Sequence, residues 1–151
     1  MTDSEYMRLA LREADKALEN GEVPIGAVIT YKGMILAAAH NHCEEDNDPF
    51  AHAEIIVLKK ARQRLSRRRL TLCRLYVTIE PCPMCAGAIL NAKIGRLIYG
   101  APDKQYGGIS CFHMDQAPAF NHTLDITSDI LEAACRKRMD SFFASLRRQE
   151  K

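Results

Sequence analysis

The chain has 151 residues, 47% hydrophobic and 26% charged, with 21 Lys and Arg against 19 Asp and Glu for a formal net charge of +2. That length suits a single domain, 1–151, with a substantial core, and the composition is ordinary for a soluble globular protein. The longest apolar run, Met34 to Ala39, is strand-sized and excludes a bilayer-spanning helix, while so small a net charge does not by itself call for a nucleic-acid partner.

The opening Met1-Thr2-Asp3-Ser4-Glu5 is polar and acidic, with none of the basic and apolar regions of a secretory signal. Ser4 to Asn20 is predicted to be an amphipathic helix: Tyr6, Leu9, Ala10, Ala14, Ala17 and Leu18 recur at helical spacing, and Asn20-Gly21 stops it. Pro24 to Thr30 and Met34 to Ala39 read as two strands joined by a turn at Tyr31-Lys32-Gly33, a hairpin. The polar stretch from His40 to Ala51 is a loop. A second helix is expected from His52 to about Leu65, closed by Ser66-Arg67-Arg68-Arg69. Leu72 to Ile79 alternates and is rich in β-formers, and Pro83 to Ala92 is a short third helix. Arg96 to Tyr99 is a strand stopped by Gly100, residues 101–123 are irregular, and Leu124 to Ile126 forms a short fifth strand. A last helix runs from Ser128, as N-cap, to about Arg148, with Leu131, Ala134, Cys135, Met139, Phe142, Phe143 and Leu146 as its apolar stripe. Strands alternating with helices imply an α/β sandwich of about five strands with helices packed on the sheet.

Two strings carry chemistry: His52-Ala53-Glu54 and, about thirty residues on, Pro81-Cys82-Pro83-Met84-Cys85. They supply one imidazole, two thiols and a spare carboxylate. Three protein ligands leave one position of a tetrahedral zinc ion open to water, the mark of a catalytic rather than a structural site. Cysteines three apart at a helix start share one face, and the prolines suit a helix entry. The positive ends of two helices would help keep both sulfurs as thiolates. Glu54 is better placed beside the bound water than on the metal, as a general acid/base. A structural reading would need a fourth ligand; His40, His42, Cys73 and Cys111 are the candidates. Of the six cysteines, at 43, 73, 82, 85, 111 and 135, one pair has ligand spacing, so thiolates in a reducing cytoplasm account for them better than disulfides.

The order His-x-Glu followed by Pro-Cys-x-x-Cys resembles the zinc nucleobase deaminases. The stretches 22–28, 51–55 and 80–89 together with Asn121-His122 are similar to the bacterial tRNA-specific adenosine deaminases in particular. The resemblance spans nearly the whole chain. It implies a three-layer α/β/α cytidine-deaminase-like fold with a mixed sheet, and one zinc ion per subunit held by His52, Cys82 and Cys85. It also implies a proton shuttle at Glu54 and a substrate-binding amide at Asn41, whose donor and acceptor could meet a purine together. The implied reaction is hydrolytic deamination of adenosine to inosine at the wobble position of a tRNA anticodon stem-loop, by a cytoplasmic homodimer whose partner helps line the RNA site.

The basic residues 62, 64, 67–69 and 74, and those marking the last helix (Arg136, Lys137, Arg138, Arg147, Arg148 and Lys151, the last of which lies outside the residues described below), suit phosphate contacts. They equally suit solvated helix faces. One of Phe142 and Phe143 could stack on a base, with at least one expected in the core. Two departures from the family pattern stand out: His42 where Arg usually follows the pocket Asn, and Asp103-Lys104-Gln105-Tyr106-Gly107-Gly108-Ile109-Ser110 in a loop that lies near the anticodon in the family. They bear on tRNA preference, not on the chemistry. Guanine deaminase, or another free-base deaminase of this fold, is the competing reading. The first-ligand His argues against the free cytidine deaminases, and the two-residue cysteine gap against the riboflavin-pathway enzymes. A non-catalytic zinc-containing RNA-binding subunit is opposed by Glu54, which a structural site does not need.

Overall fold

A computed structural model describes residues 1–150. The elements follow the expected order: α1 (Asp3–Glu19), β1 (Gly26–Tyr31), β2 (Met34–His40), α2 (Ala53–Leu65), β3 (Cys73–Ile79), α3 (Pro83–Asn91), β4 (Arg96–Ala101), β5 (Asp125–Thr127) and α4 (Glu132–Gln149). The strands form one sheet in the order β2-β1-β3-β4-β5. β1 runs antiparallel to both β2 and β3, whereas β3, β4 and β5 are parallel. This is the three-layer arrangement with a mixed sheet that the family resemblance implied.

Alternation along the strands divides the core. Ala27 and Ile29 of β1, Leu75 and Val77 of β3 and Leu97 of β4 pack against Val57, Leu58 and Ala61 of α2 and Ile89 and Leu90 of α3. Val28, Tyr76 and Ile98 point the other way, to Met7, Ala10 and Leu11 of α1 and Cys135 of α4. Helix α1 is set by local chemistry. Thr2 and Glu5 form a reciprocal capping box. Asp3 then ties its first turn to the sheet, accepting from Tyr76 Oη at 2.9 Å and Arg96 Nη2 at 2.9 Å. Gly26 lets α1 lie directly on β1: a Cβ there would overlap the Ala10 carbonyl and stand 2.7 Å from the Ala14 nitrogen. Because the obstruction is backbone, Gly26→Ala is expected to cost about 3 kcal/mol and to lower the melting temperature by about 6–12 °C, read by thermal denaturation.

Four local expectations are corrected. β3 does not alternate between core and solvent: apart from Arg74 it is buried throughout, because it is the central strand with helices on both faces. Gly100 does not stop β4, which runs through it to Ala101; the missing side chain makes room for the Cys135 thiol of α4. Helix α4 starts at Glu132, not at Ser128; the residue before it, Leu131, is left-handed (φ 55°) and provides no side-chain cap. Of its apolar stripe only Cys135 is buried, and Phe142 and Phe143 pack edge-to-face on each other at 5.3 Å rather than in the core. No helix among the described residues is long and apolar enough to cross a membrane.

Candidate active site

The parallel β3-α3-β4 unit opens the site at the carboxyl end of β3, where the chain leaves the sheet through Glu80 and Pro81 and turns into α3. Cys82 is the last extended residue before α3 (φ −68°, ψ 171°), with Pro83 as its first helical residue. His52 holds the same position before α2 (φ −75°, ψ 148°). Neither side chain caps its own helix, so both are free to turn toward each other. Cys85, one turn into α3, completes the group. His52 Nδ1 lies 3.6 Å from Cys82 Sγ and 3.3 Å from Cys85 Sγ, and one ligand atom from each of the three residues falls within 4.8 Å of the others. The two helix N-termini converge here as the spacing predicted.

The protonation pattern follows from this crowding. The Cys85 thiol donates to Cys82, which pulls the Cys82 thiol down to about 4 despite partial burial. Cys85 itself is pushed far up, since it holds the proton that the pair shares. Hydrogen bonding to Cys82 raises His52. A dication would take over the role of that proton, leaving two thiolates and a neutral imidazole, a donor set that suits zinc. The proposed alternative fourth ligands do not join the group: His40 and His42 cluster separately with Glu45, Cys73 starts β3, and Cys111 donates to the Asp103 carbonyl.

Glu54 sits in the first turn of α2, is 3% exposed, and is not one of the grouped ligands. Its Oε1 has no hydrogen-bond partner, and burial lifts its carboxyl to about 7. Asn41 is buried, and its Oδ1 accepts from the Ala53 amide at 2.9 Å. It thus supplies the cap that His52 does not, leaving its NH₂ as the group available to a ligand.

Two buried carboxylates behind the site, Glu80 and Glu22, receive no role from the sequence alone. Glu80 accepts from the amides of Asp103, Ile109 and Ser110 at 3.1, 3.1 and 2.8 Å and from the Ser110 hydroxyl at 2.8 Å. Gly108 then donates to the Pro81 carbonyl at 2.8 Å. The 103–110 loop is thereby bound to the segment that carries both cysteines. Glu22, 1% exposed, accepts from the amides of Glu44 and Glu45 at 3.0 and 2.7 Å and fixes the loop between Asn41 and His52. The one available signal was an acidic residue directly abutting a β-rich or Pro-containing apolar stretch, where burial demands a partner.

The basic residues separate once their neighbours are visible. Arg138 pairs with Asp15 of α1 at 2.7 Å, Arg136 with Glu132 at 3.2 Å, and Arg67 lies over the Tyr31 ring. These have intramolecular work. Lys59, Arg62, Arg68 and Arg69 instead line an open groove of about 600 Å³ between α2 and α3, with Lys93, which donates to the Phe120 carbonyl, at its edge. Arg147 and Arg148 stay exposed at the end of α4.

The family model described as MafB19-like deaminase matches residues 1–146. The tRNA-specific adenosine deaminase of Bacillus subtilis (strain 168) is 44% identical over 154 aligned residues, covering 100% of this chain and 95% of that one. A solved structure from a study of A-to-I editing by tRNA:A34 deaminases superposes with a TM-score of 0.86 at 43% identity, over 89% of this chain and 98% of the other. A guanine deaminase from Bacillus subtilis stands further off, at 32% identity, 83% coverage of both chains and a TM-score of 0.67. The chain belongs to the MafB19-like deaminase family and, within it, groups with the tRNA-specific adenosine deaminases.

Proposed function

We propose that this protein, read as one deaminase domain, hydrolytically deaminates adenosine to inosine at the wobble position of a tRNA anticodon stem-loop. The observation that most supports this is the full-length similarity to tRNA-specific adenosine deaminases in a chain that gathers His52, Cys82 and Cys85 around an uncommitted Glu54. In this reading His52, Cys82 and Cys85 hold one zinc ion per subunit, which when bound supplies Lewis-acid activation of a water at neutral pH.

The chain's own residues do the rest. The NH₂ of Asn41 donates to the purine and helps set its orientation. Burial raises the Glu54 carboxyl above the usual carboxylate range, which suits a group that both accepts and releases a proton. It takes a proton from the attacking water, delivers it to the purine ring, and passes a second to the departing amino group. Adenosine and water become inosine and ammonia. The α2–α3 groove and the end of α4 offer cations to the RNA phosphates. The active form is a homodimer in the cytoplasm; a monomer in sedimentation at working concentration would refute the dimer.

The deciding experiment offers the zinc-loaded protein an anticodon stem-loop with adenosine at the wobble position and, in parallel, free guanine. Inosine without xanthine is expected; xanthine without inosine would overturn the substrate and keep the chemistry. Phosphate contacts also predict a salt effect. Between 50 and 200 mM salt the KM for the stem-loop is expected to rise about ten-fold or more, and a KM that does not move would remove the RNA surface from the proposal. Metal loading has its own signature. In metal-free protein the half-buried Cys82, its thiol lowered by the hydrogen bond from Cys85, should be alkylated ahead of the buried Cys73 and Cys135, with zinc protecting it. Peptide mass mapping after iodoacetamide reads both outcomes.

A further inference from the structure

A second group of metal-ligating side chains lies on the other side of Asn41. His40 ends β2 and His42 follows two residues later, and the two imidazoles come together while Asn41 between them is buried with its side chain on the Ala53 amide. Their rings stack at 4.4 Å with planes 22° apart. Glu45 reaches both, its carboxylate 3.0 Å from His42 Nδ1 and 4.0 Å from His40 Nε2. From α1, Glu13 Oε2 stands 3.8 Å from His40 Nδ1.

Three features separate this group from an ordinary surface cluster. The His40 side chain is only 12% exposed, and neither of its ring nitrogens has a hydrogen-bond partner among the described residues. Glu13 is 8% exposed, and its Oε2 makes no hydrogen bond; Lys16 lies 2.9 Å from that oxygen and offsets part of its charge. A buried imidazole with both nitrogens unsatisfied, facing two carboxylates just beyond hydrogen-bond length, is costly for a protein alone. The Glu22 clamp also holds the backbone of Glu45 in place, so the carboxylate is presented rather than adrift.

We infer that His40, through Nε2, together with His42 and Glu45, forms a second divalent-cation site of the zinc class, while Glu13 faces the other ring nitrogen of His40 and holds the ring in place. Imidazole and carboxylate donors suit borderline ions such as Zn²⁺ or Co²⁺. Donors that each sit about 2.0–2.2 Å from one ion are themselves about 3–4 Å apart; here one donor from each of the three residues lies within 4.8 Å of the others, and a turn of the half-exposed His42 ring out of its stack on His40 brings both imidazoles onto one ion. An ion at this site joins the end of β2 to the loop that leads to His52. It holds Asn41 from behind and does not touch the substrate.

The test is titration of the metal-free full-length protein with Co²⁺, followed by absorption. The first equivalent is expected to give thiolate-to-cobalt charge-transfer bands; their absence would count against the cysteine site alone. A second equivalent is expected to add d–d bands without further charge transfer, and to slow amide exchange across residues 41–48. The His42→Ala/Glu45→Gln double variant, altered on an accessible loop, is expected to bind one equivalent instead of two. His113→Ala, an exposed control, is expected to bind two. A single equivalent in the wild type, two in the double variant, a loss in the His113 control, or unchanged exchange in the loop would each overturn the inference.

Discussion

Glu54→Gln is expected to lower the deamination rate by about 10²–10⁴-fold while the metal content per chain stays at the wild-type value. Glutamine keeps the volume and hydrogen-bonding shape of the side chain, so the buried first turn of α2 is retained. It cannot accept a proton from water and release it to a leaving amine. Glu54 is outside the His52–Cys82–Cys85 group, and its Oε1 is uncommitted, which is why metal retention is expected. His52→Ala or Cys82→Ser should behave differently, losing metal and activity together. Metal analysis beside single-turnover kinetics separates the two cases. Wild-type-like activity in Glu54→Gln would refute the proton-shuttle role.

Glu80→Ala should destabilise the protein more than any surface substitution, by about 2–4 kcal/mol, which corresponds to a melting temperature lower by about 5–15 °C. The carboxylate accepts from three loop amides and one hydroxyl, and charged acceptors make the stronger hydrogen bonds. The estimate is kept below the sum over those bonds because a released 103–110 loop can turn its amides to water. Activity should fall as well, since the same carboxylate sits directly before Pro81 and Cys82. Glu80→Gln keeps one carbonyl acceptor and should lie between the two proteins. Calorimetry gives the stability, and amide exchange limited to residues 103–112 would show that the loop is what has been released. A change in melting temperature without faster exchange there would place the effect elsewhere.

These two glutamates mark different depths of legibility. The role proposed for Glu54 could be read from the sequence because it rests on local order: the residue stands two positions from a candidate ligand, at the start of a helix. The same holds for His52, Cys82 and Cys85, whose spacing puts ligand atoms near helix ends in any fold that keeps those helices. Glu80 is just as close to a cysteine, yet its partners lie 23 to 30 residues ahead in an irregular loop. Asn41 falls between. Its place in the loop before His52 was readable, but that its carbonyl caps α2 required knowing where the Ala53 amide points.

The order of the α-helices and strands was legible in the residues alone, because helical and strand periodicities are properties of neighbouring residues. The candidate ligands and the family were legible in the same way, through short motifs. What depends on long-range contact was not. The tertiary structure made β3 the doubly covered central strand, and it carried β4 through Gly100 because a thiol from α4 needs that space. It delayed α4 to Glu132 and assigned Arg138 to Asp15, 123 residues away, rather than to solvent. It also gathered His40 and His42 on Glu45, apart from His52, Cys82 and Cys85, an outcome that no residue spacing to His52 encodes.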